Sequence, residues 1–341
     1  MSPPLLDTIG HWPLPGLLAV IALLILVLGK GADLLVEEAV RLARRWRVPT
    51  LLIGATLVSL GTTLPEAAVS VLAAIKGEPD IALGNAVGSV ICDTGLILGV
   101  ATLLSPLPLK RSIVNGQGWL QFGAGCLLIL SCIPFFSLKD AFSTGGTLPR
   151  FMGVFFLFLL ALYLWFSLRW AQQASPTRVP NTRTPDTQSP AIAVLLKLAL
   201  GISMVVIASH ILIPFVRVTA HQCHIAPGIV SATIVAFGTS LPELVTAITA
   251  VRKGHGDLAV GNVIGADILN VLFVAGASAS VSAPGLFAPP HFYKVMFPAM
   301  FFVLVVFRLA VMFSGDRLKR SYGLVLLAAY LVTTTISYTH P

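Results

Sequence analysis

Stretch after stretch of this chain is too apolar to face water. Leu17–Leu28, Gln121–Phe136, Phe151–Phe166 and Met296–Phe307 are cores of segments of about 20 residues, the length at which an α-helix crosses a hydrocarbon layer. Inside lipid every backbone N–H and C=O must find its partner within the protein, and an apolar run of this length does so as a helix. Ten spans are predicted, at roughly 16–40, 49–75, 80–104, 118–137, 149–169, 191–216, 227–251, 257–282, 291–312 and 321–338. Only 11% of the residues are charged, against roughly 25% in soluble domains. The expected fold class is an all-α polytopic membrane protein.

A net charge of +8 would suggest nucleic acid in a soluble chain. Here its placement excludes that reading. Arg41, Arg44, Arg45, Arg47, Lys110, Arg111, Arg169, Arg178, Arg183, Lys197, Arg252, Lys253, Arg308, Arg317, Lys319 and Arg320 all fall at alternate loops or their helix ends, whereas the others hold only Lys76, Lys139, Arg150, Arg217 and Lys294. The basic loops should be cytoplasmic, with both termini outside, in a cell (inner) membrane. Met1–Pro15 has no positive leader region, so no cleaved signal peptide is expected. Cys92, Cys126, Cys132 and Cys223 show no metal-ligand spacing and read as buried small hydrophobes.

The second constraint is a duplication. Gly61-Thr62-Thr63-Leu64-Pro65-Glu66 returns as Gly238-Thr239-Ser240-Leu241-Pro242-Glu243, an offset of 177 residues. The register continues without gaps: Gly77 on Gly254, Asp80 on Asp257, Gly84-Asn85 on Gly261-Asn262, Gly88 on Gly265, Asp93 on Asn270. With five spans in each copy, the second must insert upside down, giving two inverted five-helix repeats. The halves are 1–170 and 191–341, joined by 171–190. That joining stretch is rich in Pro, Thr, Ser and Gln and is expected to be a disordered cytoplasmic linker, with no room for a regulatory soluble domain.

A carboxylate at membrane depth costs several kcal/mol unless it faces protein or water, which makes Glu66 and Glu243 candidates for function. Each follows a Gly and a Pro that break a helix, so carbonyls near Ser59–Thr63 and Ala236–Ser240 are expected to lose their intrahelical partners. The hydroxyls of Thr62, Thr63, Thr239 and Ser240 add further oxygens. A set of hard oxygens without thiolate or imidazole suits Ca²⁺, Na⁺ or Mg²⁺. On the next helix Ser89 and Asp93 are four apart, as are Ala266 and Asn270, so each pair shares a face. Asp93 is expected to hold a proton when only a divalent ion is bound, and to donate it to the Asn270 amide. Lys30 and Asp33 are expected to pair with each other, Glu37 and Glu38 to be solvated, and Asp80 and Asp257 to act as N-caps.

The paired G-T-[ST]-L-P-E followed by G-N-x-x-G resembles the cation/Ca²⁺ antiporter superfamily, in particular prokaryotic sodium/calcium exchanger-like proteins, over nearly the whole chain. The resemblance implies a Ca²⁺ site made by Glu66, Glu243, Thr62 and Thr239. It also implies flanking Na⁺ sites, one using Ser59, Thr62, Thr63, Ser89 and Glu66, the other Ala236, Thr239, Ser240 and Glu243, with Asp93 and Asn270 as a central pair. The chain departs at Thr63 in place of Ser, at Ala266 where some exchangers have Ser, and at Asp267 where Asn is usual.

The resulting expectation is an antiporter, not an enzyme, that exports Ca²⁺ against entering Na⁺ by alternating access and needs no cofactor. No phosphate-binding loop points to ATP. The alternatives are a Ca²⁺/H⁺ or other cation/proton exchanger, separable by which gradient drives uptake; an intramembrane enzyme, for which no His–Glu helix motif exists; and a channel, separable by whether flux needs a counter-ion.

Overall fold

A computed structural model describes residues 9, 11–134, 140–173, 190–223, 239–283 and 285–339. Eleven helical segments run through them: α1 Leu14–Trp46, α2 Thr50–Thr62, α3 Leu64–Ile75, α4 Pro79–Leu104, α5 Arg111–Cys132, α6 Arg150–Gln173, α7 Ala191–Gln222, α8 Leu241–Arg252, α9 Gly256–Val281, α10 Phe292–Phe313 and α11 Arg320–Thr339. Seven of these are long and apolar enough to cross a bilayer, or eight if α2 and α3, bent by 44°, are one span. The apolar part of α11 is shorter, and residues 227–238 of the span predicted at 227–251 lie outside the described residues. Of the linker predicted at 171–190, residues 174–189 also lie outside them; α6 continues to Gln173 and Pro190 caps α7.

Burial sorts the helices into two kinds. The apolar windows of α9 and α4 are 94% and 78% buried, whereas α1 and α7 are each 28% buried and lie against one another. Small residues bring that outer pair close: a Cβ on Gly201 would stand 2.7 Å from the Leu35 amide nitrogen. Helix α9 is packed as tightly against α2. A Cβ on Gly54 of α2 would stand 2.6 Å from the Leu258 carbonyl oxygen of α9.

The contacts exchange when the halves are swapped. Helix α3 lies on α4 as α8 lies on α9; α5 packs on α9 as α10 packs on α4; α6 covers the end of α9 as α11 covers the end of α4. Four very short strands repeat the pattern, a feature the all-α expectation lacks. β1 (Leu107–Pro108) pairs antiparallel with β4 (Arg317–Leu318), and β2 (Gly146–Leu148) pairs with β3 (Leu286–Ala288). Gly77 and Gly254, one register apart, end α3 and α8 at φ of 81° and 79°, a conformation that costs glycine little.

Several polar residues take partners other than those expected. Asp33 pairs with Lys253 at 3.0 Å rather than with Lys30, and Glu37 meets the same ammonium at 2.7 Å. Glu38 is buried and bound to Arg41 at 2.9 Å, because its side chain turns into the bundle and Glu37 turns out. Asp80 and Asp257 sit inside the first turn, each two residues past the N-caps Glu78 and His255. Asp257 accepts from the Thr50 hydroxyl and pairs with Lys110 at 3.3 Å, tying the start of α9 to α2 and to the approach to α5. Cys92 and Cys132 are buried as expected and Cys126 half-buried, while Cys223 is exposed at the end of α7.

Candidate ion-binding site

The break between α2 and α3 falls at Thr63 (φ −82°, ψ −5°), and Pro65 sits in the first turn of α3. Proline has no amide hydrogen, so the Gly61 carbonyl loses its ordinary donor four residues on. The other copy matches: Ser240 (φ −87°, ψ 9°) precedes α8, with Pro242 in its first turn. Glu66 and Glu243 therefore each stand in the first turn of a helix, where the backbone dipole favours a carboxylate. Both side chains are 1% exposed. The carbonyls freed by the break are fewer than expected. Ser59 O accepts from the Thr63 amide and the Thr62 hydroxyl, and Thr63 O and Ser240 O each receive an amide from the helix that follows.

Each acid faces the other half's motif. Glu66 lies beside the Thr239 hydroxyl, and Glu243 beside those of Thr62 and Thr63, the Thr63 Oγ1 donating to Glu243 Oε1 at 3.5 Å. Asn85 bridges the halves: its amide nitrogen donates to the Glu66 carbonyl (3.3 Å) and Ser70 (2.9 Å), and its oxygen accepts from Thr239 (3.3 Å). Asp93 faces Ser240 and accepts from the Asn270 amide at 3.3 Å. That reverses the donation expected between this pair, since the amide nitrogen is the group that points at the carboxylate. Asp93 and Asn270 both lie in π-helical turns, Cys92–Ile97 and Asn270–Ala275, which widen α4 and α9 at matching points.

Four carboxylates, Glu66, Glu243, Asp93 and Asp267, are buried close enough to act on one another. Both oxygens of Glu66, one each of Glu243, Asp93 and Asp267, and Asn270 Oδ1 have no hydrogen-bond partner among the described residues. Even so, no three His, Cys, Asp or Glu side chains there come together as a metal-binding cluster. An ion held between the two glutamates would draw its remaining ligands from hydroxyl and carbonyl oxygens. Of the predicted residues, Ser59, Thr62, Thr63, Ser89, Glu66, Asp93, Ser240, Glu243 and Asn270 are buried and Thr239 is half-buried. Ala236 lies outside the described residues. A cavity of about 450 Å³ reaches Asn85, Ser89, Thr239 and Ser240 and extends to His291 at the start of α10.

Sequence reasoning read Asn85 only as part of a repeated dipeptide and passed over Thr94, Gln117, Gln121 and Tyr163. Tyr163 donates to the Ala55 carbonyl at 2.8 Å, inside a third π-helical turn at Gly54–Val58, and lies 3.1 Å from Gln117 Oε1. The available signal was a glutamine or tyrosine inside an otherwise apolar span, which is costly there unless paired.

The sodium/calcium exchanger protein family profile matches residues 16–169 and 193–339, both halves up to the linker. The chain belongs to the sodium/calcium exchanger family. Among its relatives, the exchanger is 35% identical over 329 residues to inner membrane protein YrbG of Escherichia coli (strain K12), covering 94% of this chain and 96% of that protein. It is 29% identical over 351 residues to sodium/calcium exchanger MaX1 of Methanosarcina acetivorans, covering 92% and 98%. The fold matches the sodium-calcium exchanger NCX_Mj soaked with zero Na⁺ and Ca²⁺, with a TM-score of 0.77 at 23% identity over 94% of this chain and 98% of that one. The protein is thus a multi-pass membrane antiporter of the cation/Ca²⁺ class.

Proposed function

We propose that this exchanger exports Ca²⁺ in exchange for entering Na⁺, with Glu66 and Glu243 as the carboxylates for which the two ions compete. The observation that carries the reading is the crossed arrangement of these acids. Each is buried in the first turn of a helix and faces hydroxyls of the opposite half. Two carboxylates balance either one divalent or two monovalent cations, so loading with one cargo excludes the other.

In this reading Glu66, Glu243, Thr62 and Thr239 hold Ca²⁺. One flanking Na⁺ site uses Ser59, Thr62, Thr63, Ser89 and Glu66; the other uses Ala236, Thr239, Ser240 and Glu243; Asp93 and Asn270 are the central pair. The chain is built as ten spans in two inverted five-helix repeats with both termini outside, a reading supported by contacts that exchange between the halves. The weakly buried α1 and α7 are the sliding pair. An empty site with two uncompensated acids resists crossing, which makes exchange obligatory.

Binding of ⁴⁵Ca²⁺ to the purified protein tests the shared site. Rising Na⁺ should displace Ca²⁺, with a steeper than hyperbolic dependence. Calcium occupancy indifferent to Na⁺ would contradict it.

A further inference from the structure

Asp267 is the buried acid that the exchange site does not use. It lies on α9, 2% exposed, and its Oδ2 accepts from both the Thr94 hydroxyl of α4 and the Gln121 amide of α5. The Gln121 amide also donates to Thr94 Oγ1 at 3.0 Å, so the three side chains close a ring. The charged groups that act on Asp267 are the acids Glu243 and Asp93; no cationic side chain stands beside it among the described residues. Two oxygens of the ring, Asp267 Oδ1 and Gln121 Oε1, are buried and have no partner among the described residues.

The repeat makes this pocket stand out. Stepping by 177 residues takes Asp267 and Thr94 to Val90 and Val271, so the equivalent positions on the paired helices of the other half are apolar. Helix packing is therefore satisfied there without any polar group. A buried negative charge without a protein cation must be neutralised by an ion or a proton. Oδ2 already accepts two bonds, so the neutralising ion falls to the two oxygens that no donor reaches among the described residues, Oδ1 and Gln121 Oε1. A proton held on Oδ1 is the alternative that the Na⁺ measurement below rejects or upholds.

We propose that Asp267, Thr94 and Gln121 form a further cation site, asymmetric between the halves, that holds one Na⁺ through Asp267 Oδ1 and Gln121 Oε1. A single carboxylate with neutral hard oxygens matches a monovalent charge, where a divalent ion would be left half compensated. The choice of Na⁺ rests on the exchange reading; the existence of the site rests on the ring.

The test is ²²Na⁺ binding to the purified full chain, wild type against Asp267→Asn and Thr94→Val, each checked for a monodisperse elution profile. The expected result is one Na⁺ equivalent fewer in Asp267→Asn, and a rise of about tenfold in half-saturating Na⁺ in Thr94→Val, the equivalent of ~1.4 kcal/mol. If Asp267→Asn does not fold, Thr94→Val and Gln121→Leu carry the test, because both remove only neutral groups. Wild-type Na⁺ stoichiometry and affinity in a monodisperse variant would overturn the proposal and leave the exchange reading standing. A loss of ⁴⁵Ca²⁺ affinity larger than that of Na⁺ would overturn it too, making Asp267 a support for the glutamates. Wild-type protein that binds no ²²Na⁺ would refute the exchange reading and this site with it.

Discussion

Glu66 and Glu243 were legible as residues because a carboxylate in an apolar span has few reasons to exist other than function. Their surroundings were only partly legible. The hydroxyls of the repeated hexapeptide could be named, but not that each acid meets the other half's hydroxyls, since crossing is a property of how the halves dock. Asn85 escaped for the same reason: its three partners lie on Glu66, Ser70 and Thr239. Because these acids are buried with no cationic partner among the described residues, Glu66→Gln and Glu243→Gln should each abolish Ca²⁺ transport while the protein still elutes as a folded species. Removing an uncompensated buried charge while keeping its shape spares the fold. Near-normal flux in either purified variant would contradict the assignment.

At the scale of elements, the helix break was readable from Gly61 and Pro65, and it falls at Thr63 between them. The four π-helical turns at Gly54–Val58, Cys92–Ile97, Asn270–Ala275 and Phe292–Met296 were not, because no residue type encodes an i→i+5 bond; tertiary packing imposes it. The glycines that let α2 lie on α9 read only as packing residues. A Cβ on Gly265 would come within 2.6 Å of Ser59 Oγ and the Ala55 Cα. Gly265→Ala should therefore lower thermal stability in detergent, by about 1–3 kcal/mol for an overpacked contact, and Gly54→Ala should do likewise. Unchanged melting in both would show that α2 can move aside. The turn between α8 and α9 carries a pH dependence of its own. Burial holds His255 below its usual range, with Arg44 and Lys253 acting the same way against the pull of Asp257. The unfolded chain then binds the His255 proton more readily, so stability falls as pH drops below about 6.5, the ordinary imidazole value. His255→Gln should flatten that fall in a melting series; an unaltered slope would assign it to other groups.

For the whole molecule, the duplication made the two-fold exchange of contacts foreseeable, down to Gly77 and Gly254 in the same turn. It did not foresee the short strand pairs β1–β4 and β2–β3, each joining one half to the other, because strands of two or three residues leave no periodic signal. Nor did it foresee the Lys253 pairs with Asp33 and Glu37, which join the turn after α8 to α1. From the Lys/Arg asymmetry of the loops we propose that the 171–190 stretch faces the cytoplasm. A cysteine introduced at Thr182 should resist an impermeant reagent applied to intact cells and react once the cells are opened; labelling from outside would reverse the topology.

The central claim is that Ca²⁺ moves only against Na⁺. In proteoliposomes loaded with Na⁺, dilution into Na⁺-free buffer should drive ⁴⁵Ca²⁺ uptake, while K⁺ or pH gradients imposed in turn should not. Uptake driven by the pH gradient without Na⁺, or uptake requiring no counter-ion, would contradict the account.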